Sequence, residues 1–435
     1  MDPVAVGIIG ILAMVVLMAM GLNIAFTFFV VGAGGTFYLV SHKAFLSTMA
    51  TAPFFTIANY TLSTIPMFIL MGYFAFQGGV TQDIFNIAVK WIGRLPGGLA
   101  MAAIVGCTAF AFCSGSSLAG AAVMGQVTIP EMRRYGYDKR FASGVVAAGG
   151  ALAAMIPPSI TMIIYGVLTE TSIAPILIGG ILPGLMTSAI YLLGIYLIAS
   201  RKPHLAPLFT EKFTWRERLT SLKGGWGVAF LSALVIGGIY SGLFSPTEAG
   251  AAGAAGALLL GLGSRRMTLR DSWKPVLETA TTTAQIFIII AGALLFSRML
   301  TFSGVTHKFS EWIVSLPFPP MGILIVIMLM YIGLGCLMEP LGMLFITLPI
   351  IFPAIKALGI NPIWFGILLV KIIEIGVITP PVGMNVYVLK SVTPDIALHE
   401  IFQGIGWMLI MEIVALGLLL AFPSITLFLP SLMIK

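Results

Sequence analysis

Two proline pairs interrupt otherwise apolar segments of this chain, and they are the first residues whose chemistry stands out. Pro157-Pro158 is followed by Ser159, and Pro380-Pro381 is followed closely by Gly383-Met384-Asn385. Proline lacks a backbone N–H and clashes with the preceding helical turn, so we predict that a helix unwinds at each pair. Unwound backbone presents free carbonyl oxygens, which can coordinate a cation such as Na⁺.

Two further apolar stretches, at 98–129 and 319–354, are interrupted near their middle. The interruptions are Cys113-Ser114-Gly115-Ser116-Ser117 and Met338-Glu339-Pro340. Each half is too short to cross a bilayer, which takes about 20 apolar residues in a helix. We therefore predict two re-entrant helical hairpins whose tips carry hydroxyl and carboxylate oxygens. The alternative for the serine cluster is close helix packing by small residues.

The composition indicates the kind of protein in which these elements lie. The 435-residue chain is 59% hydrophobic and only 9% charged, whereas soluble proteins carry about 25% charged residues. In lipid only helices and closed barrels satisfy the backbone, and the long continuous apolar runs favour helices. We predict an all-α polytopic membrane protein. Ten full spans are expected near residues 4–20, 22–41, 62–78, 141–168, 175–200, 226–243, 248–263, 275–302, 362–392 and 401–429.

Several function classes are disfavoured by the same residues. The net charge of +7 is small for this length and lies in short loops, so nucleic acid is not an expected partner. No GxxxxGK[ST] motif occurs, and no loop is long enough for an ATP-hydrolysing domain. An embedded enzyme would need His or Asp clusters in the apolar segments, and a channel would need a continuous polar stripe. We expect neither, and we expect no catalytic residue.

The distribution of Lys and Arg predicts the orientation in the membrane. Basic residues gather at 131–140, 201–223 and 265–274, whereas 169–174 and 241–248 contain none. Loops rich in Lys and Arg face the cytoplasm, so the first group is predicted to be cytoplasmic and the second periplasmic. Counting the spans from these loops places both termini in the periplasm of a bacterial inner-membrane protein.

The two halves of the chain repeat each other. The 44 positions that separate Cys113 from Pro157 also separate Cys336 from Pro380. Pro130 pairs with Pro353 at an offset of 223 positions. Five predicted spans lie between the two hairpins, and because five is odd, the hairpins should enter from opposite sides. An inverted-topology repeat of this kind is typical of secondary transporters, with the binding site near the midplane at broken helices.

A hairpin tip that faces a proline break would enclose a small cage of carbonyl and hydroxyl oxygens. The repeat predicts two such cages, each suited to Na⁺. Helix N-termini carry partial positive charge, so an anionic substrate is expected between the cages. Its side-chain contacts are predicted to come from Ser117, Ser159 and Asn385.

Two charged residues that can pair fall near the middle of the predicted span 362–392. Lys371 and Glu374 are three positions apart and therefore share one face of a helix. Charge at membrane depth is a functional candidate by default, but these two residues can neutralise each other. We predict a structural ion pair. Amphipathic segments at 81–94 and 304–316 precede the two hairpins and are expected to lie at the membrane interface.

At these motifs the chain resembles the large membrane subunit, or DctM-like M subunit, of the tripartite ATP-independent periplasmic (TRAP) transporters. The matching segments are CSGSSLAGAAVMG at 113–125, GGALAAMIPPS at 149–159, LMEPLGMLFITLPIIFP at 337–353 and EIGVITPPVGMN at 374–385. The resemblance implies an elevator-type transporter and Na⁺-coupled uptake of a small organic acid. It also implies at least two coupling Na⁺ ions and no organic cofactor.

The resemblance also implies which residues bind. The first Na⁺ site would use Ser114, Gly115, Ser116, Ile156, Pro157, Pro158 and Ser159. The second would use Glu339, Pro340, Thr379, Pro380 and Gly383. The substrate would meet Ser117, Ser159, Met384 and Asn385.

Domain organisation and partners follow from the same resemblance. Residues 62–174 and 275–395 would form the two halves of the transport domain, and residues 1–61, 175–274 and 396–435 the scaffold. A small four-helix membrane (Q) subunit and a soluble periplasmic substrate-binding (P) protein would be partners, together with membrane lipid. The alternative is a stand-alone Na⁺/divalent-anion symporter of related elevator architecture, which would need neither partner. Dicarboxylates, sialic acids and small sulfonates all remain open as substrates.

Overall fold

The computed structural model describes residues 2–336 and 338–433, and within these ranges the chain forms helices and connecting turns without strands. Leu337, which belongs to the third matching segment, lies outside the described residues. The helices of the first half are α1 (Pro3–Ala19), α2 (Ile24–Leu39), α3 (His42–Ile57), α4 (Thr64–Gln77), α5 (Val80–Ile92), α6 (Gly98–Ser114), α7 (Ser117–Arg134), α8 (Lys139–Ala151), α9 (Ile160–Thr169), α10 (Ile173–Gly179) and α11 (Ile181–Arg201).

The second half continues with shorter segments and then repeats the pattern. Its helices are α12 (Trp215–Ser221), α13 (Trp226–Ser232), α14 (Gly238–Tyr240), α15 (Pro246–Gly263), α16 (Trp273–Ser303), α17 (Val305–Ser315), α18 (Pro320–Gly335), α19 (Pro340–Ala357), α20 (Pro362–Ile378), α21 (Met384–Val392), α22 (Leu398–Ala421) and α23 (Ser424–Ser431). Short 3₁₀ and π segments join α12, α13 and α14, so that Trp215–Tyr240 is one continuous helix of 26 residues.

The predicted hairpins and broken helices are confirmed. Helices α6 and α7 form the first hairpin, and α18 and α19 form the second. Helices α8 and α9 are the two parts of the first broken span, and α20 and α21 are the two parts of the second. The amphipathic segments before the hairpins are helices α5 and α17.

Equivalent residues cap equivalent helices in the two repeats. Asp138 caps α8 by accepting hydrogen bonds from the backbone N–H groups of residues 140 and 141, at 2.9 and 3.1 Å. Asn361, which lies 223 positions later, caps α20 by accepting from residues 363 and 364, at 2.9 and 3.2 Å. The sequence offset therefore corresponds to a repeated local structure.

Helices of one repeat pack against helices of the other. Helix α7 packs along α21, and α19 packs along α9. Gly125 of α7 lies against Leu389 of α21. Further along α7, Arg133 forms an ion pair with Asp395, which follows the end of α21. The two helices therefore run in parallel. In the other pair, the rings of Tyr165 and Phe352 meet edge to face at 6.1 Å.

Five helices in the described part of the chain are long and apolar enough to cross a membrane, and a bent pair adds a sixth. They are Ile173–Arg201, Trp215–Tyr240, Trp273–Ser303, Pro340–Ala357 and Leu398–Ala421, and the bent pair is His42–Phe55 with Tyr60–Gln77. Helix α3 was not among the predicted spans, because Lys43, Pro53 and several hydroxyl residues lower its hydropathy. The last predicted span, 401–429, is divided at Pro423 into α22 and α23.

Candidate ion and substrate site

The first hairpin tip lies against the first proline break. Gly115 ends α6 in the left-handed conformation, at φ 63°. Its carbonyl oxygen accepts a hydrogen bond from the backbone N–H of Ile160, at 3.2 Å. A Cβ at residue 115 would lie 2.4 Å from the carbonyl oxygen of Pro158, so only glycine fits this contact. Ser116 then caps α7 by accepting from the N–H of Ala119, at 3.4 Å.

The first break itself is fully enclosed. A 3₁₀ turn at Leu152–Ala154 follows α8, and every residue from 151 to 160 is buried. Ser159 caps α9 by accepting from the N–H of Met162 at 3.3 Å, and its hydroxyl donates to the carbonyl oxygen of Ala154. The break therefore brings Ile156, Pro157, Pro158 and Ser159 into one buried segment, as the predicted site requires.

The second hairpin tip meets the second break in the same way. The carbonyl oxygen of Cys336 accepts a hydrogen bond from the backbone N–H of Val382, at 3.3 Å. Glu339 caps α19, since its carboxylate accepts from the N–H of Gly342 at 3.0 Å, and Pro340 occupies the first helical position. Glu339 thus has a structural role at the tip as the N-cap residue of α19.

The second break is more open than the first. Thr379 ends α20, and its hydroxyl donates to the carbonyl oxygen of Ile375 at 2.5 Å. Pro380 and Pro381 are exposed, whereas Gly383 is buried in a left-handed conformation directly before α21. The Pro-Pro peptide bond is cis here, as it is in the first break.

The predicted substrate residues lie where the helix starts converge. Helices α7, α9, α19 and α21 all begin at a tip or a break. Each tip contacts its own break, and α7 runs parallel to α21, so the four N-termini lie close together. Ser117, Ser159 and Asn385 are buried and Met384 is half-buried. Asn385 donates to the carbonyl oxygen of Ala147 at 3.3 Å.

Two buried oxygen atoms at these positions have no hydrogen-bond partner among the described residues. They are the hydroxyl oxygen of Ser114, at the first tip, and the side-chain carbonyl oxygen of Asn385, after the second break. An orphaned buried polar atom is costly and indicates a missing ligand or water. Oxygen donors of this kind suit Na⁺ and not a transition metal, and no cluster of three His, Cys, Asp or Glu side chains occurs in the described ranges.

A cavity of about 490 Å³ reaches the first tip. Ser114 and Ser116 line it from the hairpin, and Tyr73 of α4 and Thr282 of α16 line it from the facing side. The Tyr73 and Thr282 hydroxyls are 3.4 Å apart. Glu278 of α16 also lines the cavity. The first tip therefore faces a mainly apolar cavity between two groups of helices, into which a few hydroxyl groups and one carboxylate are placed.

A buried charge cluster adds residues that the sequence did not reveal. The ammonium of Lys371 donates to Glu374 at 2.9 Å, which confirms the predicted pair, and to Thr187 of α11 at 3.1 Å. Lys371 also forms an ion pair with Glu412 of α22, which accepts a hydrogen bond from Tyr191 of α11. The side chains of Lys371, Glu374 and Glu412 are fully buried. Helix α20, which carries Lys371 and Glu374, packs against the 3₁₀ turn of the first break.

The fold and these two matched tip-and-break sites define a secondary transporter built on an inverted repeat. Residues 11–425 match the family model for the tripartite ATP-independent periplasmic transporter, DctM component. The chain belongs to this family of TRAP transporter large permeases, which are transporters and not enzymes, and it is a multi-pass membrane protein.

Individual relatives agree with this assignment. The chain is 38% identical over 386 residues to the C4-dicarboxylate TRAP transporter large permease protein DctM of Pseudomonas aeruginosa, covering 88% of this chain and 89% of that protein. It is 34% identical over 354 residues to the isethionate TRAP transporter permease protein DctMQ of Oleidesulfovibrio alaskensis, covering 79% of this chain and 54% of the relative. The crystal structure of the YdaH transporter of Alcanivorax borkumensis shares the fold, with a TM-score of 0.65 at 13% identity over 89% of this chain and 90% of that one.

Proposed function

We propose that this chain takes up a small organic acid across the bacterial inner membrane in symport with Na⁺. The observation that carries the proposal is that each hairpin tip accepts a backbone hydrogen bond from the break of its own repeat, Gly115 from Ile160 and Cys336 from Val382. Two oxygen-rich contacts of this kind at the centre of an inverted repeat are the arrangement that binds coupling ions and substrate in secondary transporters.

The first Na⁺ is proposed to bind among the oxygens of Ser114, Ser116 and the break from Ile156 to Ser159. The unpartnered, buried hydroxyl oxygen of Ser114 supports this assignment. The second Na⁺ is proposed to bind among the tip at Glu339-Pro340 and the break from Thr379 to Gly383. Each positive charge that enters through 100 mV contributes about 2.3 kcal/mol to uptake.

The substrate is proposed to lie between the ions, where the N-termini of α7, α9, α19 and α21 converge. Helix N-termini favour anions, which supports an organic acid as substrate. Ser117, Ser159, Met384 and Asn385 would contact it. The relatives named above for C4-dicarboxylate and for isethionate both act on small anions, and we extend only this common chemistry to the present chain.

Transport is proposed to follow an elevator mechanism in which the hairpins and broken helices move together. Helices α2, α4, α15 and α16 would form the frame, since α2 packs on α16 and α4 packs on α15. This placement differs from the domain bounds expected from the sequence, which put α4 and α16 in the transport domain. Helices α11 and α22 were assigned to the scaffold from the sequence. Their packing against α6, α8 and α20, with the buried Lys371 cluster between them, supports placing them in the moving body instead.

The partners are proposed to be a four-helix Q subunit and a periplasmic binding protein. The relative named as a DctMQ permease supports the first of these, because its name joins both membrane components. The basic loops support a cytoplasmic position for 131–140, 201–223 and 265–274, with both termini in the periplasm. Reconstitution of this chain alone tests the stand-alone symporter alternative, which requires Na⁺-driven uptake without partners.

Ser116→Ala and Thr379→Val test the two ion sites in the reconstituted three-component system. Each removes one neutral oxygen, so we expect the Na⁺ concentration for half-maximal uptake to rise about fivefold, equivalent to about 1 kcal/mol. Thr301→Val is the matched control, because the Thr301 hydroxyl also donates to a backbone carbonyl oxygen one turn earlier but lies exposed on α16. Unchanged Na⁺ dependence in both site variants would remove these residues from the ion sites.

A further inference from the structure

The helix that follows the longest basic loop extends beyond the membrane core. Trp215–Tyr240 has 26 residues and is therefore about 39 Å long, whereas the hydrocarbon core is about 30 Å thick. Its first turns reach the headgroup region. Trp215, Leu219, Leu222 and Trp226 are all exposed there, and their spacing of four, three and four positions places them on one face.

This helix start packs against α5. The rings of Trp91 and Trp215 meet edge to face at 6.4 Å, and the Lys90 ammonium lies 6.0 Å from the ring of Phe213. Gly224 lies against Asp83 of α5. The end of α5 and the start of the long helix therefore form one continuous surface, which we call the α5–α12 surface.

The α5–α12 surface carries a large excess of positive charge. Six basic side chains lie on it, and none forms an ion pair with any described residue: Lys90, Arg94, Lys212, Arg216, Arg218 and Lys223. The nearby carboxylates already have partners. Asp83 is bound by Arg266 at 2.6 Å, and Glu211 accepts from Tyr135.

The third carboxylate, Glu217, is occupied by a helix cap. It accepts hydrogen bonds from the backbone N–H and the hydroxyl of Thr214, at 2.7 and 2.8 Å. The Glu217 carboxylate is therefore held at the helix start and forms no ion pair with any of the six basic side chains.

We propose that the α5–α12 surface binds the headgroup of an anionic phospholipid. Basic side chains beside tryptophans at headgroup depth match both parts of such a lipid, the phosphate and the start of the acyl chains. A free inorganic anion would use only the charges. The equivalent amphipathic helix of the second repeat, α17, has one lysine, Lys308, as α5 has Lys90, so the additional charge of the α5–α12 surface comes from Arg94 and the basic residues at 212–223.

The test measures lipid retention by the purified full chain. The protein is equilibrated with vesicles of phosphatidylcholine that contain phosphatidylglycerol, and the retained lipids are counted by native mass spectrometry. Arg216→Gln/Lys223→Gln should lower the preference for phosphatidylglycerol about 30-fold, the effect of removing two basic groups of about 1 kcal/mol each. Lys90→Gln/Arg94→Gln, on the other side of the same surface, should lower it to a similar extent.

Lys308→Gln/Lys356→Gln is the matched control, since it removes the same charge from two exposed lysines of α17 and α19, which do not pack on the α5–α12 surface. Its lipid preference should equal that of the unmodified chain. An equal loss in the control would overturn the proposal in favour of a general charge effect. Displacement of the lipid by inorganic phosphate would instead identify a free-anion site, and the absence of any preference in the unmodified chain would refute lipid binding outright.

Discussion

The two proline breaks have the same sequence signal and the same tip contact, yet their surroundings differ. Every residue from 151 to 160 is buried, whereas Pro380 and Pro381 are exposed. Helix α11 closes over the first break: a Cβ at Gly180 would lie 2.3 Å from the carbonyl oxygen of Met155, and one at Gly184 would lie 2.4 Å from Ile156. Among the described residues, the second break has its hairpin tip on one side and the ring of Phe402 near Gly383, and Pro380 and Pro381 remain exposed.

Charge separates the two breaks as clearly as burial does. Helix α20 packs against the 3₁₀ turn of the first break, and it carries Lys371 and Glu374, which form a buried charge cluster with Glu412. The positions 223 residues before Lys371 and Glu374 are Ala148 and Ala151, so the second break has no such cluster. The first break is therefore held by buried ion pairs. The residues around the second break can move when substrate or another part of the protein approaches.

Removing the central ammonium should have the largest effect and would test whether the cluster fixes the first break. Lys371→Met leaves two buried carboxylates without a cation, and breaking a buried pair in this way costs about 3–5 kcal/mol. We expect a corresponding fall in the free energy of unfolding, measured by detergent-induced unfolding of the purified chain. Lys308→Met, at an exposed position of α17, should change it by less than about 0.5 kcal/mol.

A rescue variant distinguishes lost ion pairing from lost packing. Lys371→Met/Glu374→Gln/Glu412→Gln removes all three charges, so no buried charge remains unpaired, and most of the lost stability should return. If the triple variant is as unstable as Lys371→Met, packing and not charge holds the first break. If Lys371→Met lowers the free energy of unfolding by less than about 1 kcal/mol, the charge cluster does not distinguish the first break from the second.

The shared features of the two breaks were predictable because their signals are local. Double prolines, and small or polar residues inside apolar runs, act on the backbone at the positions where they occur. The start of α19 at Pro340 also has a local signal, since proline is favoured at the first helical position. The fixed offset between Asp138 and Asn361 extends the repeat to the helix caps.

The differences between the breaks were not predictable because they depend on distant contacts. Glu412 is far from Lys371 along the chain, and only the packing of α22 against α20 brings the two together. Tyr191 and Thr187 join the same cluster from α11. Periodicity in an almost wholly apolar helix does not show which face meets which neighbour, so neither the cluster nor the cover over the first break could be derived.

Thiol labelling should reveal the difference in exposure directly. Val382 and Ser159 are equivalent positions, 223 residues apart, and Val382 is half-buried whereas Ser159 is buried. In a Cys336→Ser background, with the buried Cys107 and Cys113 retained, we expect Val382→Cys to react with a maleimide about tenfold faster than Ser159→Cys, because reactivity follows thiolate exposure. Both should react fully after denaturation. Equal rates in the folded protein would mean that the two breaks are covered to the same degree.

The smallest expected effect concerns the caps of α8 and α20, and it tests whether the asymmetry between the repeats extends to the starts of the broken helices. Asp138→Ala and Asn361→Ala each remove a side chain that accepts two hydrogen bonds at a helix start, so each should cost about 1 kcal/mol in the free energy of unfolding. Asp138→Asn keeps the capping hydrogen bonds without the charge, so its free energy of unfolding should be close to that of the unmodified chain. Lys139, the next residue, forms an ion pair with Glu400 at 2.8 Å, and α20 begins with Pro362 at the equivalent position. If Asp138→Ala costs clearly more than Asn361→Ala, that ion pair depends on the cap, and the asymmetry between the repeats extends from the breaks to the starts of the broken helices.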